Sequence, residues 1–579
     1  MAQDLWNVSS SISYDAVGDD LIDSKNYATD TKVVDRVQDH ILKNIPAIKS
    51  ERSDLESRWG RLERMWQGKH EMRLVDTQSD IYVPMGRKIV ETFVAQVTTQ
   101  IFPTNPLFFL NGIGPNQQLA AALTPHIGAL IENDIEQANV RSHIPLFLRR
   151  GFIAGCSIVK NFWKTTSTTN YRKRRYGGGP NEPILTTIES EKVNLYDGPT
   201  FDVVDPLRWY IYPITSKSID DARLVFEEVD VDWTHLKSME KAGIYKGVDK
   251  IKDMAGAKSG TGIVDSNRDI RTLSYGYTVQ EEILNDTYRL TEIWAKFDLY
   301  GDSNLIPCKI VVCGGQVLEV RQNPFFSQRP PYRAWRMTDV FDNFYGMGLM
   351  ENIESMQYAF NAMFNQGIDN ANWQQNPMIV INKANLASNP SDITIAPRSF
   401  LYTYGDPRTN VHFERPPETY KISFDVAQQL SGMMQDIAGA PPILQGKMGN
   451  RTQTATEADI LRAGAGAFTN IVATKLESEV LSPMLHDFYM LEQQFRDGET
   501  YAKITGGQPP LPISPQDLVG DYQFTWHVST DAAQRMMMLQ AQGGGMTAAP
   551  GGQGGPEGGG PPQGEPPQGP PPGEPPGGF

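Results

Sequence analysis

Long hydrophobic runs and cysteine are both scarce in this 579-residue chain, and each scarcity excludes a class of protein. No window approaches 18 consecutive apolar residues, so no membrane span is predicted. The first 24 residues lack the basic and apolar regions of a signal peptide, so we expect a protein that is made in the cytoplasm and is not secreted. Cys156, Cys308 and Cys313 cannot form a disulfide framework, and we expect them to be buried, inert thiols.

The motifs that usually accompany catalysis are also missing. There is no Walker A loop, Rossmann glycine fingerprint, His-Glu-x-x-His or nucleophile elbow. Gly260-Thr261-Gly262 lies in a polar stretch and is more typical of a surface loop than of a phosphate-binding loop. Asp230 and Asp232 alternate as a metal-binding nuclease pair would. However, Asp232 directly precedes Trp233 at the start of a predicted helix, which favours an N-cap. We therefore predict a protein that is not an enzyme and that uses no cofactor or metal.

Positively charged residues are fewer than negatively charged ones. The chain has 53 Lys and Arg residues and 68 Asp and Glu residues, which gives a net charge of −15. A protein that holds DNA by neutralising phosphates is basic over at least one surface. An acidic protein can still handle DNA by letting it pass rather than by holding it. The composition therefore disfavours a tight DNA-binding protein.

Hydrophobic periodicity predicts an α+β fold that is mainly helical, and the chain is too long for one core. Helices are predicted over residues 31–67 with a break at Pro46, from Pro84 to Ile101, and over 124–140 and 142–155. The middle of the chain alternates as strands do, interrupted by a short helix at 233–242. Strands are predicted at 157–164, 201–204, 209–212, 224–228, 288–298, 309–312 and 317–321.

A basic run, Arg172–Arg175, precedes the glycines at 177–179, which predicts a basic, Gly-rich loop. This run is either a solvated loop or a contact for a scaffold or capsid protein.

The second half contains two long helices that bracket a compact block. The helices are predicted over 348–374 and 418–437, with the Pro-rich block 377–417 between them. A flexible segment, 438–454, then leads into a very long helix towards Phe495, which Pro483 is expected to kink or split. The Gly/Pro-rich tail after residue 543 is predicted to be disordered. This order also suits a coiled-coil arm or an ordinary helical domain.

Three groups of residues resemble bacteriophage portal proteins, the head-to-tail connectors of short-tailed phages. The first is Phe344-Tyr345-Gly346-Met347-Gly348, an aromatic-Gly-x-Gly entry into a helix that carries Gln357, Asn361 and Asn365. The second is Asp205-Pro206 with Trp209 and Tyr212-Pro213, which is similar to a strand of the portal wing. The third is Ala455-Thr456-Glu457-Ala458 before the long helix, with Val480–Leu485 near its end. The resemblance covers roughly residues 30 to 535.

The resemblance implies a portal-type architecture made of a wing, a two-helix stem and a small α/β clip. Residues 1–30 form an N-terminal arm in this scheme, and 531–579 are a crown remnant with a disordered Gly/Pro-rich tail. The long crown helix of better-known portals is missing, so a crown-linked role in sensing headful packaging is in doubt. The remaining segments are the wing (31–346 and 455–530, with a long kinked helix), the stem helices (347–375 and 418–437), the clip (376–417) and the tunnel loop (438–454).

The resemblance also implies a location and partners. Portals form homo-oligomeric rings of about twelve subunits at one capsid vertex, through which double-stranded DNA is packaged and ejected. They contact the major capsid and scaffolding proteins, the terminase large subunit and, after packaging, a head-tail adaptor. We expect a virion protein made in the host cytoplasm, without a membrane partner.

Within this scheme three sets of residues are candidate sites. They are the tunnel-loop cations that face DNA, Lys447 and Arg451; the channel-lining stem carboxylates, Glu351, Glu354, Asp369, Asp425 and Asp436; and the clip cations that dock the motor or adaptor, Lys383, Arg398, Arg408 and Arg415. Simple loop charges remain an alternative for the tunnel-loop pair, and solvated helix faces for the stem carboxylates. Another virion protein, such as an adaptor or tail subunit, is the alternative for the whole chain, and a nucleic-acid enzyme is a third possibility.

Overall fold

The computed structural model describes residues 25–69, 78–102, 107–113, 117–176, 185–252, 254, 287–385, 387, 402–439, 455–496, 500–502, 511–513, 518 and 520–528, all within Met1–Thr530. The fold is α+β, as predicted. Its helices are α1 (Thr31–His40), α2 (Ile45–Glu51), α3 (Ser53–Gln67), α4 (Met85–Ile101), α5 (Gln117–Gln137), α6 (Val140–Ala154), α7 (Trp233–Lys241), α8 (Leu349–Gln375), α9 (Pro407–Asn410), α10 (Tyr420–Ile437), α11 (Ala455–Leu476) and α12 (Ser482–Phe495).

The strands lie mainly in the middle of the chain. They are β1 (Phe108–Ile113), β2 (Cys156–Tyr176), β3 (Leu185–Val204), β4 (Trp209–Tyr212), β5 (Leu224–Asp232), β6 (Thr287–Phe297), β7 (Ile306–Cys313), β8 (Gln316–Gln322), β9 (Tyr332–Arg336), β10 (Thr338–Val340), β11 (Asn343–Met347), β12 (Met378–Ile381), β13 (Val411–Glu414), β14 (Thr500–Ala502), β15 (Leu511–Ile513) and β16 (Asp521–Trp526).

Helices are confirmed throughout the first third, but residues 31–67 form three helices rather than the two expected, and neither break lies at the proline. The first helix ends at the C-cap residue Ile41, and Pro46 lies in the first turn of α2. Proline is tolerated there because the N–H groups of the first helical turn have no partner within the helix.

Strands β4 to β8 form an antiparallel sheet in chain order, with helices on both faces. On one face Val37 and Ile48 from the N-terminal helices join a buried cluster with Phe226 of β5. On the opposite face Leu236 of α7 packs in a cluster with Leu318 of β8. Because both faces are covered, the strands are more continuously apolar than a half-exposed sheet would be.

The β2–β3 hairpin is much longer than the sequence predicted. Its strands pair antiparallel from Ile158 with Val204 to Tyr176 with Leu185. The predicted strand ended at Lys164, and the predicted loop at Arg172–Arg175 is instead part of β2. The distal half has side chains exposed to solvent, as at Tyr171, so it lacks the apolar alternation from which a strand is recognised.

The largest apolar core joins α3–α6 to α8, α11 and α12, with Phe93, Ile353 and Leu481 fully buried within it. The predicted interruption of the last long helix is confirmed. A π-helical turn, Glu477–Leu481, separates α11 from α12, and Pro483 lies in the first turn of α12. Among the described residues, no helix is both long and apolar enough to cross a bilayer.

Candidate functional site

The entry into α8 is held by direct contact between two backbone segments. A Cβ atom on Gly348 would lie 2.6 Å from the carbonyl oxygen of Ile153, and one on Gly155 would lie 2.8 Å from the carbonyl carbon of Met347. Gly346 also has a φ of +68°, a left-handed conformation that L side chains rarely adopt. The aromatic-Gly-x-Gly pattern therefore lets the start of α8 cross the end of α6 at backbone distance.

Asp205-Pro206, the second motif, belongs to a buried polar cluster around Arg52. The Asp205 carboxylate caps a short turn by accepting a hydrogen bond from the Leu207 N–H at 3.1 Å. The Arg52 guanidinium, 1% exposed, donates to the carbonyl oxygens of Pro206 and Leu207, each at 2.8 Å, and to that of Trp209. Its charge is balanced by Glu56, 2.7 Å away. This cluster fixes α3 to the motif, and sequence reasoning did not identify Arg52.

A row of side chains along α8 holds residues 79–86, which lead into α4 and include the first two residues of that helix. The members of the row are four residues apart, and each accepts a hydrogen bond from a backbone N–H of that segment. The pairs are Gln357 with Gly86 at 2.9 Å, Asn361 with Val83 at 3.0 Å, Asn365 with Ile81 at 2.9 Å, and Asp369 with Ser79 at 2.7 Å. Gln357 and Asn365 also donate to the carbonyl oxygens of Val83 and Ile81. These polar side chains therefore bind within the subunit.

Three of the five predicted channel carboxylates lie on α8, the helix that holds residues 79–86. Glu351 forms an ion pair with Arg58 at 2.6 Å, and Glu354 one with Arg61 at 3.4 Å. Asp369 is the last member of the row that holds residues 79–86. Their negative charge is thus partly compensated within the subunit, and a place in a channel remains a prediction for them.

The other two carboxylates, Asp425 and Asp436, are exposed on α10. This helix packs closely against α8, because the ring of Phe424 lies 3.1 Å from where a Cβ of Gly367 would be. The face of α10 directed away from α8 has two stripes at helical spacing. The polar stripe contains Lys421, Asp425, Gln428, Gln429 and Asp436, and the apolar stripe contains Ile422, Val426, Met433 and Ile437.

The apolar stripe of α10 is unusually open to solvent for residues of this kind. Ile422 is 64% exposed, Met433 53% and Ile437 49%. Within the subunit the face of α10 that packs is built on Ala427 and Met434, which are 3% and 0% exposed.

The block between the two long helices contains a small antiparallel sheet of β12 and β13. Asn410 organises the adjoining turn, since its side chain donates to the Tyr404 carbonyl at 2.7 Å and accepts from Asn385 at 2.8 Å. Large apolar residues nevertheless remain exposed on this block: Met378, Val380, Tyr402, Tyr404 and Phe413. Of the four predicted docking cations, Lys383, Arg408 and Arg415 are exposed, and Arg398 lies outside the described residues.

The predicted DNA-facing cations, Lys447 and Arg451, lie outside the described residues, as does Gly260-Thr261-Gly262. The three cysteines are buried free thiols, and burial raises the pKa of each to about 12. A thiol with so high a pKa is a poor nucleophile and a poor metal ligand.

Asp230, considered above for a nuclease pair, lies between Arg208 at 2.6 Å and Arg289 at 3.1 Å. These two cations lower its pKa although burial opposes them. Asp232 occupies the N-cap position of α7, as predicted, but its side chain makes no capping hydrogen bond. Within the described part of the chain, no group of three or more His, Cys, Asp or Glu side chains is arranged to hold a metal ion.

Comparison with known proteins agrees with the motifs. No curated protein shows a significant match to this chain. A family model described as the phage SU10 portal protein matches residues 116–558, about three quarters of the sequence. The matched range includes the glycine entry, α8, the β12–β13 block, α10 and the last long helices. The chain therefore belongs to the phage SU10 portal protein family.

Proposed function

We propose that this chain is the subunit of a closed ring at one capsid vertex, through which double-stranded DNA enters and leaves the phage head. The proposal rests on the face of α10 that is directed away from α8. This face has an apolar stripe beside a polar stripe. In a ring of about twelve copies the apolar stripe would contact a neighbouring subunit, and the polar stripe would face the lumen.

Burial energetics support this arrangement of the stem. Burying the side chains of Ile422 and Met433 contributes roughly 1.5–3 kcal/mol each, which the isolated subunit does not gain. The exposed apolar residues on the β12–β13 block likewise lack the stabilisation that burial would give them. A two-stranded sheet is marginally stable alone, so contact with neighbouring copies would stabilise it.

Electrostatics support DNA passage rather than DNA holding. With −15 per chain, about twelve copies carry roughly −180, a field that repels phosphate. Asp425 and Asp436, on the polar stripe, are the carboxylates that we assign to the channel wall. Lys447 and Arg451 would supply weak phosphate contacts that slow sliding without trapping the DNA.

The β12–β13 block would form the outer end of the ring, where the terminase large subunit docks during packaging and a head-tail adaptor replaces it. Lys383, Arg408 and Arg415 are exposed there and would meet acidic partners. The major capsid and scaffolding proteins would contact the wing. The β2–β3 hairpin, which carries Arg172, is a candidate for that contact.

The test is electron microscopy of the purified chain, with its mass measured on the same sample. We expect rings of about twelve copies with an axial hole. Ile422→Glu combined with Met433→Glu should abolish rings, because it places charge in the subunit contact. Gln428→Glu, which adds charge on the polar stripe, should leave rings intact. A wild-type monomer or open filament would contradict the proposal and favour an adaptor or tail subunit.

A further inference from the structure

The hairpin of β10 and β11 presents an aromatic side chain to solvent. Val340 pairs with Asn343, so Phe341 and Asp342 form the two-residue turn between the strands. Phe341 is 98% exposed, and Asp342 has a positive φ of 56°. Single exposed apolar residues are common on protein surfaces, so this exposure alone identifies no partner.

The strands of the hairpin are bonded to neighbouring segments of the chain, so the tip has a defined position. The Phe344 N–H donates to the Ile214 carbonyl at 2.8 Å, and the Met337 N–H donates to the Gly155 carbonyl at 3.0 Å. The Asp339 carboxylate lies 2.7 Å from the Lys475 ammonium. A side chain presented on a rigid support loses little entropy when it binds.

A second surface of the subunit offers a site that would accept such a side chain. A cavity of about 300 Å³ opens on the β4–β8 sheet, beneath the chain that follows β8. Its wall is mainly apolar and includes Val225, Trp294 and Cys308, each at most 2% exposed. This volume is at the lower end of the range for ligand pockets and is sufficient for one aromatic ring.

The charges around the two features are of opposite sign. Arg223, Lys296 and Arg329 line the cavity, together with one carboxylate, Asp220. Arg329 lies 3.8 Å from that carboxylate, and Lys296 donates to the Asp220 backbone carbonyl at 2.7 Å. Three cations against one anion give the cavity a net positive charge. Asp342, beside Phe341, gives the hairpin tip a negative one.

We propose that Phe341 of one copy inserts into this cavity of the next copy, with Asp342 facing Arg329 and its neighbouring cations. Phe341 is almost fully exposed, so a subunit does not fill its own cavity. A projection and a cavity at different places on one surface form a heterologous contact, and repetition of that contact gives a ring when the rotation between copies closes. This inference rests on the ring proposed above and adds a specific contact to it.

The test is disulfide cross-linking between two variants, Asp342→Cys and Arg329→Cys. Both variants also carry Cys308→Ser, because Cys308 lines the cavity and its thiol would compete, whereas Cys156 and Cys313 are buried elsewhere. We expect covalent dimers only when the two variants are mixed, and a ladder up to the full ring when one chain carries both. Asp342→Cys mixed with Ser355→Cys, an exposed position on α8, should give no dimers.

Phe341→Ala is the second variant. It should weaken subunit association by roughly 30- to 100-fold, as expected for one lost buried aromatic, and leave the melting temperature of the monomer unchanged. Arg329→Glu should weaken association too, and Asp342→Lys should restore it in the same chain. Rings without specific cross-links would overturn this contact and leave the portal proposal standing. The absence of both rings and cross-links would overturn the two together.

Discussion

We assign residues 31–346 and 455–530 to a wing, and α8 and α10 to a stem. The core of this proposed wing and the proposed stem differ in where their side chains find partners. In the wing, Lys160 is only 3% exposed, and its ammonium lies 3.0 Å from Glu227 and 2.8 Å from Glu292. On the stem and the β12–β13 block, by contrast, Ile422 and Phe413 are 64% and 55% exposed. Lys160 thus finds both of its partners within one chain, whereas α10 and the β12–β13 block leave apolar surface uncovered.

This difference indicates that the two regions are stabilised by different means. Removing one partner of a buried ion pair destabilises the monomer, because the other charge stays buried, and this loss does not depend on protein concentration. A region completed by neighbouring copies gains stability by mass action, so its apparent stability rises with assembly. The predictions below separate these two contributions, from the largest effect to the smallest.

The largest effect is expected at Arg52 in the wing. Arg52→Met leaves the Glu56 carboxylate and three backbone carbonyl groups buried without their donor. We expect the free energy of unfolding to fall by about 3–5 kcal/mol, measured by chemical denaturation. Lys43→Met breaks an exposed pair with Asp39 and should leave the free energy of unfolding nearly unchanged, because solvent screens that pair. Equal losses in the two variants would show that the Arg52 cluster is not the stronger anchor.

A smaller loss is expected where the wing meets the stem. Gln357, 0% exposed, bonds both the Gly86 N–H and the Val83 carbonyl. Gln357→Leu should cost about 2 kcal/mol, because two buried backbone groups lose their partner. Gln366→Leu makes the same change at an exposed position of α8 and should be nearly neutral. If denaturation shows the same stability for both variants, residues 79–86 do not hold the stem as described.

Next in size is a pH effect inside the wing. Asp134 and Glu492 are buried beside the same Arg496 guanidinium. Burial raises the pKa of both carboxyl groups. The folded chain therefore keeps protons that the unfolded chain releases near pH 4, so the free energy of unfolding falls as pH rises from there.

Asp134→Asn removes one of these ionisations. The stability of the variant relative to wild type should rise by about 1.4 kcal/mol per pH unit above pH 4, until the folded-state pKa of Asp134 is passed. Denaturation curves recorded from pH 4 to 8 measure this difference. Parallel pH profiles for the two proteins would mean that Asp134 is ionised in the folded state throughout.

The sequence predicted the elements with strong apolar periodicity and missed those specified by polar contacts. α8 and α10 were predicted to within two residues of their observed bounds, because their apolar side chains repeat at helical spacing. The distal β2–β3 hairpin was missed, since its few apolar residues, such as Tyr171 and Ile188, do not alternate regularly and are exposed. The role of Asn361 and Asn365 was also missed. Nothing in the sequence indicated that residues 79–86 would bind these two side chains.

Substitution of the proposed channel carboxylates should have the smallest effect on stability. It also tests most directly which stem helix faces the channel. Asp425→Asn with Asp436→Asn changes exposed side chains and should shift the free energy of unfolding by less than about 0.5 kcal/mol. Glu351→Gln with Glu354→Gln, the matched pair on α8, breaks two partly exposed ion pairs and should cost about 1 kcal/mol or less.

The two pairs should differ in DNA packaging by assembled heads. If the polar stripe of α10 faces the lumen, loss of its charge reduces repulsion of phosphate, and packaging should slow only in the Asp425 and Asp436 variant. The α8 variant should package normally, because Arg58 and Arg61 already compensate its carboxylates. Slower packaging in the α8 variant alone would instead place Glu351 and Glu354 at the channel wall. The outer face of α10 would then be free of DNA.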